Sequence, residues 1–179
     1  MIELLPRMKQ HFDTTQDRFI TFCNLGFQSE GWFKGELVNL FSQLQREGVI
    51  QELDREVKVG TKRIDVMIRL NDMYHWIELK HWMIGIQKGS YYSPSFSFGD
   101  PTSVGIISDV DKLNTLIHPG HRWILVLLTA NPGAKEWEAG IEKFNRKFAP
   151  RRVESRTQPD AFPSTYFLGL LDLGSKLKS

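Results

Sequence analysis

A chain of 179 residues, 41% hydrophobic and 25% charged, carries enough apolar surface for one buried core and is too evenly balanced to be dominated by disorder. Its formal net charge of +2, from 23 basic and 21 acidic side chains, excludes a uniformly cationic coat for nucleic acid and leaves room only for local basic patches. A single cysteine, Cys23, excludes an intrachain disulfide framework and a multi-cysteine zinc site, and it fits a reducing, cytoplasmic setting.

The opening MIELLPRMKQHFD interrupts its apolar residues with Glu3, Pro6, Arg7, Lys9 and Gln10, so no secretory leader is expected there. Residues 1–30 read as mixed and helical in part, with Phe19, Ile20, Phe22 and Cys23 as one packed segment. Over residues 31–47 the apolar positions Trp32, Phe33, Leu37, Leu40, Phe41 and Leu44 recur at helical steps, and Gly48 stops the helix. Glu36 lies inside this helix, one position before Leu37.

The period then changes to two. Glu52 to Val59 reads as a strand, Gly60-Thr61-Lys62 as a turn, and Arg63 to Leu70 as a second strand with Ile64, Val66, Ile68 and Leu70 pointing one way. Asn71-Asp72 is a turn pair, and Tyr74 to Lys80 is a third strand, which completes an antiparallel meander. The aromatic, Gly- and Ser-rich residues 81–100 suit a loop or flap. Asp100-Pro101 is a helix start for a stripe through Ile106, Ile107, Val110, Leu113, Leu116 and Ile117, which His118-Pro119-Gly120 ends. Trp123 to Leu128 suits a strand buried on both faces and is far too short to cross a bilayer. A further helix is expected over about 134–148, followed by the basic residues Arg146, Lys147, Arg151, Arg152 and Arg156, and a last strand over Thr165 to Leu171. The order implies one α/β domain over 1–179: a mixed central sheet flanked by helices, with a core of about 31–130, an N-terminal helical segment and a C-terminal helix and strand over 131–179.

The chemistry-bearing segment is KRIDVMIRLNDMYHWIELKHW. A hairpin centred on Asn71-Asp72 sets Leu70 against Met73, Ile68 against His75 and Asp65 against Glu78. One face then carries Arg63, Asp65, Glu78 and Lys80, and the reverse carries Ile64, Val66, Ile77 and Leu79. Two carboxylates directly opposite are destabilising unless something positive lies between them. A hard divalent cation would supply that charge: Mg²⁺, with Mn²⁺ as a substitute, takes one or two carboxylates, waters and phosphate oxygens, and the Leu79 carbonyl is a further candidate ligand. Lys80 would hold or deprotonate the water that attacks phosphorus. The competing reading is a surface hairpin with solvated charges.

Glu36, Asp65 and Glu78-Leu79-Lys80, in this order of elements, resemble the PD-(D/E)XK nuclease superfamily and its restriction-endonuclease-like αβββαβ core, over about residues 31–130. The position before Asp65 is Ile64, where the superfamily pattern has proline. The resemblance implies Mg²⁺-dependent hydrolysis of phosphodiesters in nucleic acid, DNA ahead of RNA. By it, Asp65 and Glu78 would be metal ligands, Lys80 the catalytic lysine and Glu36 an accessory carboxylate. Gln87 and Tyr91 have the spacing of a Gln-x-x-x-Tyr element of exonuclease-like members, although Gly89-Ser90 argues against a helix there.

Asp109 reads as part of a solvated helix face, and Lys112 as either solvated or facing the site. Together with Arg146, Lys147, Arg151 and Arg152, Lys112 is a candidate for phosphate contact. His75 points away from Glu78 and reads as structural, and His81 reads as a loop residue beside the site. Double-strand cleavage with one centre per chain would call for a homodimer, and a toxin-type domain for an inhibitor protein. The alternative function is a catalytically inactive module binding nucleic acid or protein on the same fold.

Overall fold

The computed structural model describes residues 1–25, 30–87, 90–92, 105–130, 152–156 and 166–176. The N-terminal segment is more regular than its mixed composition suggests. A 3-10 turn over Ile2–Leu4 runs directly into a long helix, α1 (Leu5–Asn24). Helix α2 (Glu30–Arg46) buries Phe33, Leu37, Leu40, Phe41 and Leu44 of the stripe its periodicity marks, and Trp32 is only partly buried. Gly48 adopts φ 73, which lets the chain reverse so that the Val49 N–H returns to the Leu44 carbonyl at 2.9 Å.

Strands β1 (Glu52–Val59), β2 (Lys62–Leu70) and β3 (Met73–Gln87) form the expected antiparallel meander. Asn71 and Asp72 both take positive φ (51 and 59), the geometry of a two-residue hairpin turn, and Leu70 faces Met73 across it. Strand β3 does not stop at Lys80. It continues to Gln87 and pairs back on β4 (Ser90–Tyr92), so the first part of the expected flap is a β-hairpin. Gln87 and Tyr91 therefore lie on facing strands, with Gln87 opposite Ser90 and Ile86 opposite Tyr91. Helix α3 (Ile106–Asn114) leads to β5 (Gly120–Ala130), which runs parallel to β3 from His75↔His121 to Ile84↔Ala130. That long parallel partner is what extends β3.

Two strands complete the sheet. β7 (Tyr166–Lys176) pairs antiparallel with β5, and β6 (Arg152–Arg156) lies on the far edge, giving the order β1-β2-β3-β5-β7-β6. Strand β6 has no counterpart among the elements that the sequence pattern predicts. Arg152, expected in a basic cluster after a helix, stands in this strand opposite Leu171. The expected helix over 134–148, with Arg146, Lys147 and Arg151, and the Asp100-Pro101 helix start lie outside the described residues.

The fold is thus α/β, a mixed sheet with helices on both faces. Met8, Phe12, Phe33 and Phe41 from α1 and α2 pack on Val66, Ile77, Leu79, Leu125 and Leu127. Ile106 and Leu113 from α3, with Leu116 just beyond it, pack on Trp76, Ile124 and Val126 of the other face. Alternate residues of β5 thus enter two different cores, and each such buried side chain contributes about 1.5–3 kcal/mol. The reverse face of β2 is less uniform than simple alternation predicts. Val66 belongs to the α1/α2 core, whereas Ile64 joins Val57 and Val59 against α3. The ribbon changes faces where Glu56 takes φ 53. Among the described residues no helix is long and apolar enough to cross a membrane.

Gly120 opens β5 at φ 132, where a Cβ would meet the Tyr74 carbonyl oxygen at 2.5 Å. Gly120→Ala should therefore destabilise the protein by about 1–3 kcal/mol, read as a lower urea midpoint, because the close approach that seats β5 on β3 has no room for a methyl group.

Candidate functional site

The ladder between β2 and β3 ends at Val66↔Ile77, one residue short of the pair that the hairpin register sets opposite, Asp65 and Glu78. Just past that end, the Leu79 N–H donates to the Asp65 Oδ2 at 3.0 Å. The carboxylate thereby takes up a backbone donor beside the point where the strands part. Its other oxygen, Oδ1, lies 2.6 Å from the Lys34 Nζ of α2, and Lys34 also reaches Glu56. Burial works to raise the Asp65 pKa, but the hydrogen bonds from Lys34 and Leu79 outweigh it and hold the carboxyl below its ordinary range.

Glu78 is in the opposite condition. It is only 2% exposed, and burial, reinforced by the charge of Asp65, pushes its carboxyl up to about 8. Its Oε2 accepts from the Lys112 Nζ of α3 at 2.5 Å, and among the described residues no donor reaches its buried Oε1. The adjacent carboxyls of Asp65 and Glu78 can share a hydrogen bond only through a proton. Two carboxyls whose environments push their affinities for a proton apart form a recurrent pattern at sites built for acid–base or cation chemistry.

Lys80 lies two residues beyond Glu78 on the same face, and its Nζ is 3.2 Å from the Asp109 Oδ2 of α3. Burial works to lower its pKa, and Asp109 and Glu30 more than offset this, so Lys80 remains an ammonium cation. Asp109 departs from the solvated position that its place in the helix pattern predicts. It is only 6% exposed, its carboxyl raised by burial, and Lys112 approaches its second oxygen at 3.7 Å. A helix that packs over the charged end of a sheet turns its own polar side inward, and the apolar stripe of α3 alone does not reveal this.

Glu36 does not point toward the hairpin. It is buried against α1, bonded to His11 Nε2 and Arg18 Nη1, each at 2.9 Å. The α2 carboxylate whose charge reaches Lys80 is Glu30, which also accepts the His81 N–H at 3.4 Å. Glu30 and Lys34 are one helical turn apart, a spacing that could have marked them in the sequence once α1 was recognised as a full helix covering the Glu36 side. Arg63 also stays outside. Its side chain is 69% exposed and 3.6 Å from Glu56, and only its carbonyl, 3.2 Å from Lys112, belongs to the cluster.

Leu79 buries its side chain in the α1/α2 core, and its N–H is the one that holds Asp65. His81 is in β3, fully buried, bonded to Thr129 and pushed down to about 4 by burial. His75, buried on the same side, accepts from Trp123 Nε1 at 2.9 Å, a structural role. Lys112 is engaged with Glu78, and Arg152 is described only through its backbone in β6.

Among the described residues no three His, Cys, Asp or Glu side chains group as a metal cluster. The two adjoining carboxyls, one with an unpartnered buried oxygen, nonetheless fit a small hard cation, which needs only one or two carboxylates and keeps waters in its remaining positions. Comparison with protein-family models, curated proteins and solved structures finds no match.

The raised pKa of Glu78 has a sign that can be measured. A carboxyl raised from 4.5 to about 8 on folding stabilises the native state fully below 4.5 and loses that contribution as pH rises through about 8. With chelator present, urea unfolding across this window should show the wild type losing stability relative to Glu78→Gln, whose amide does not titrate. Parallel curves for the two proteins would show that the Glu78 carboxyl keeps its ordinary proton affinity on folding.

Proposed function

We propose that this protein is a metal-dependent phosphodiesterase acting on nucleic acid, DNA ahead of RNA, of the PD-(D/E)XK kind. The observation that carries the reading is the convergence of Asp65 and Glu78 where β2 parts from β3, with Lys80 one pleat further on the same face. The order of elements supports it: α2, the three-stranded meander, α3, and a strand parallel to the third of the meander.

In this reading Asp65 and Glu78 hold Mg²⁺ or Mn²⁺. The cation, when bound, polarises the scissile phosphate and lowers the pKa of an attacking water. Glu78 must give up its carboxyl proton to bind it, which its value of about 8 permits near neutral pH. Lys80, kept cationic by Asp109 and Glu30, cannot serve as the base. It orients the water and offsets the negative charge that develops on the phosphate oxygens. Asp109 fixes the direction of the Lys80 ammonium group. Lys34 and Lys112 limit the repulsion between the two acids.

One observation favours a second reading, a binding module without catalysis: each of the two acids already has a lysine from a flanking helix against it. Supercoiled plasmid, linear duplex, single-stranded DNA and RNA, each incubated with Mg²⁺, Mn²⁺ or chelator, separate the two. Cation-dependent cutting is expected, reduced about 10²–10³-fold by Lys80→Ala in a chain whose melting curve shows it folded. A folded Lys80→Ala protein that cuts at the wild-type rate, or a wild type that cuts none of these substrates, would remove the proposal.

A further inference from the structure

Beyond Asp65 the β1–β2 ribbon runs on without β3. The β2–β3 ladder stops at Val66↔Ile77, whereas β1 and β2 stay paired from Val57↔Ile64 to Val59↔Lys62. One side of this ribbon is anchored, since Ile64, Val57 and Val59 pack with Leu113 and Leu116 in the core under α3. The other side carries an arrangement that folding alone would avoid. Lys58 and Arg63 stand directly across from one another, and both are exposed. Like charges in directly opposed cross-strand positions are destabilising. Among the described residues no carboxylate lies within ion-pair distance of Lys58, and Arg63 has only Glu56 at 3.6 Å, which Lys34 also engages. Arg55 adds a further exposed cation on the same ribbon.

The position of this pair is as informative as its charge. Arg63 is two residues from Asp65, and its carbonyl oxygen is 3.2 Å from Lys112, which in turn binds Glu78. A cationic pair with Glu56 as its one shared counter-charge among the described residues thus sits on the paired ribbon at the rim of the carboxyl site. A polyanion relieves the repulsion, and a two-stranded ribbon has the width that the major groove of a duplex admits.

We infer that the β1–β2 ribbon, through Lys58 and Arg63, is a docking arm for the phosphate backbone of duplex nucleic acid. The inference deepens the phosphodiesterase reading and rests on it for the choice of nucleic acid over an acidic protein. The arm sets where along a duplex the scissile bond lies relative to Asp65 and Glu78, and it touches phosphates without reading bases.

The test is fluorescence anisotropy of a short labelled DNA duplex across a salt series, with chelator present so that nothing is cut, and with labelled single-stranded DNA and poly-glutamate as competitors. The double variant Lys58→Gln/Arg63→Gln should bind about tenfold more weakly at low salt, and its slope of log affinity against log salt should be shallower by about two, one for each phosphate that the variant leaves unneutralised. Lys58→Glu, which converts the repulsive pair to an attractive one, should melt higher than the wild type and also bind the duplex more weakly. Unchanged affinity and slope in both variants would overturn the inference, as would stronger competition from poly-glutamate than from DNA. The plasmid assay keeps the two proposals distinct. Cutting with no dependence on the ribbon removes the arm alone, and ribbon-dependent binding with no cutting removes the phosphodiesterase alone.

Discussion

A single hydrogen bond, from the Leu79 N–H to the Asp65 carboxylate, stands where two strands of a continuous sheet stop pairing. With Asp65 held there, the neighbouring carboxyl of Glu78 is buried beside a fixed negative charge and rises to about 8. A sheet interior could not keep two adjoining acids without countercharge. The protein supplies it from both faces, Lys34 from α2 and Lys112 from α3, with Lys80 of β3 itself balanced by Asp109. The site is therefore a product of the layering: helices on opposite faces meet through the parting between β2 and β3.

This arrangement gives each lysine a different part. Lys34 and Lys112 bind the two acids directly, whereas Lys80 is turned to Asp109 and lies next to the acids without touching them. A lysine that must interact with water and phosphate during a reaction is better held by a third carboxylate than by the ones that would ligate a cation. That separation fits the catalytic role that the phosphodiesterase reading gives to Lys80 and leaves a neutralising role to the other two.

The hairpin is legible in the sequence because its turn and its alternation agree. Asn71-Asp72 fixes Leu70 against Met73, and from there the register carries Asp65 to Glu78 by counting alone. The helix–meander–helix–strand order is legible from changes of period. What is not legible depends on contacts made by elements far away in the chain. Glu36 is claimed by His11 and Arg18, and only the full extent of α1 reveals that. Asp109 is buried because Lys80 lies beneath α3. The continuation of β3 to Gln87 depends on the length of β5, its parallel partner, and a Gly-rich aromatic segment carries no period that would betray it. The exchange of faces between Ile64 and Val66 coincides with the positive φ of Glu56 on the neighbouring strand, a feature that any argument from strict alternation misses.

Whether Asp65 and Glu78 form one cation site is tested most directly by calorimetric titration of Mn²⁺ into the metal-free protein. Wild type should bind one ion and release about one proton, seen as an enthalpy that depends on the buffer, because the Glu78 carboxyl is protonated at neutral pH. Asp65→Asn and Glu78→Gln should each abolish the binding. Binding that both variants retain, or a wild type that takes up no Mn²⁺ at millimolar concentration, would contradict it.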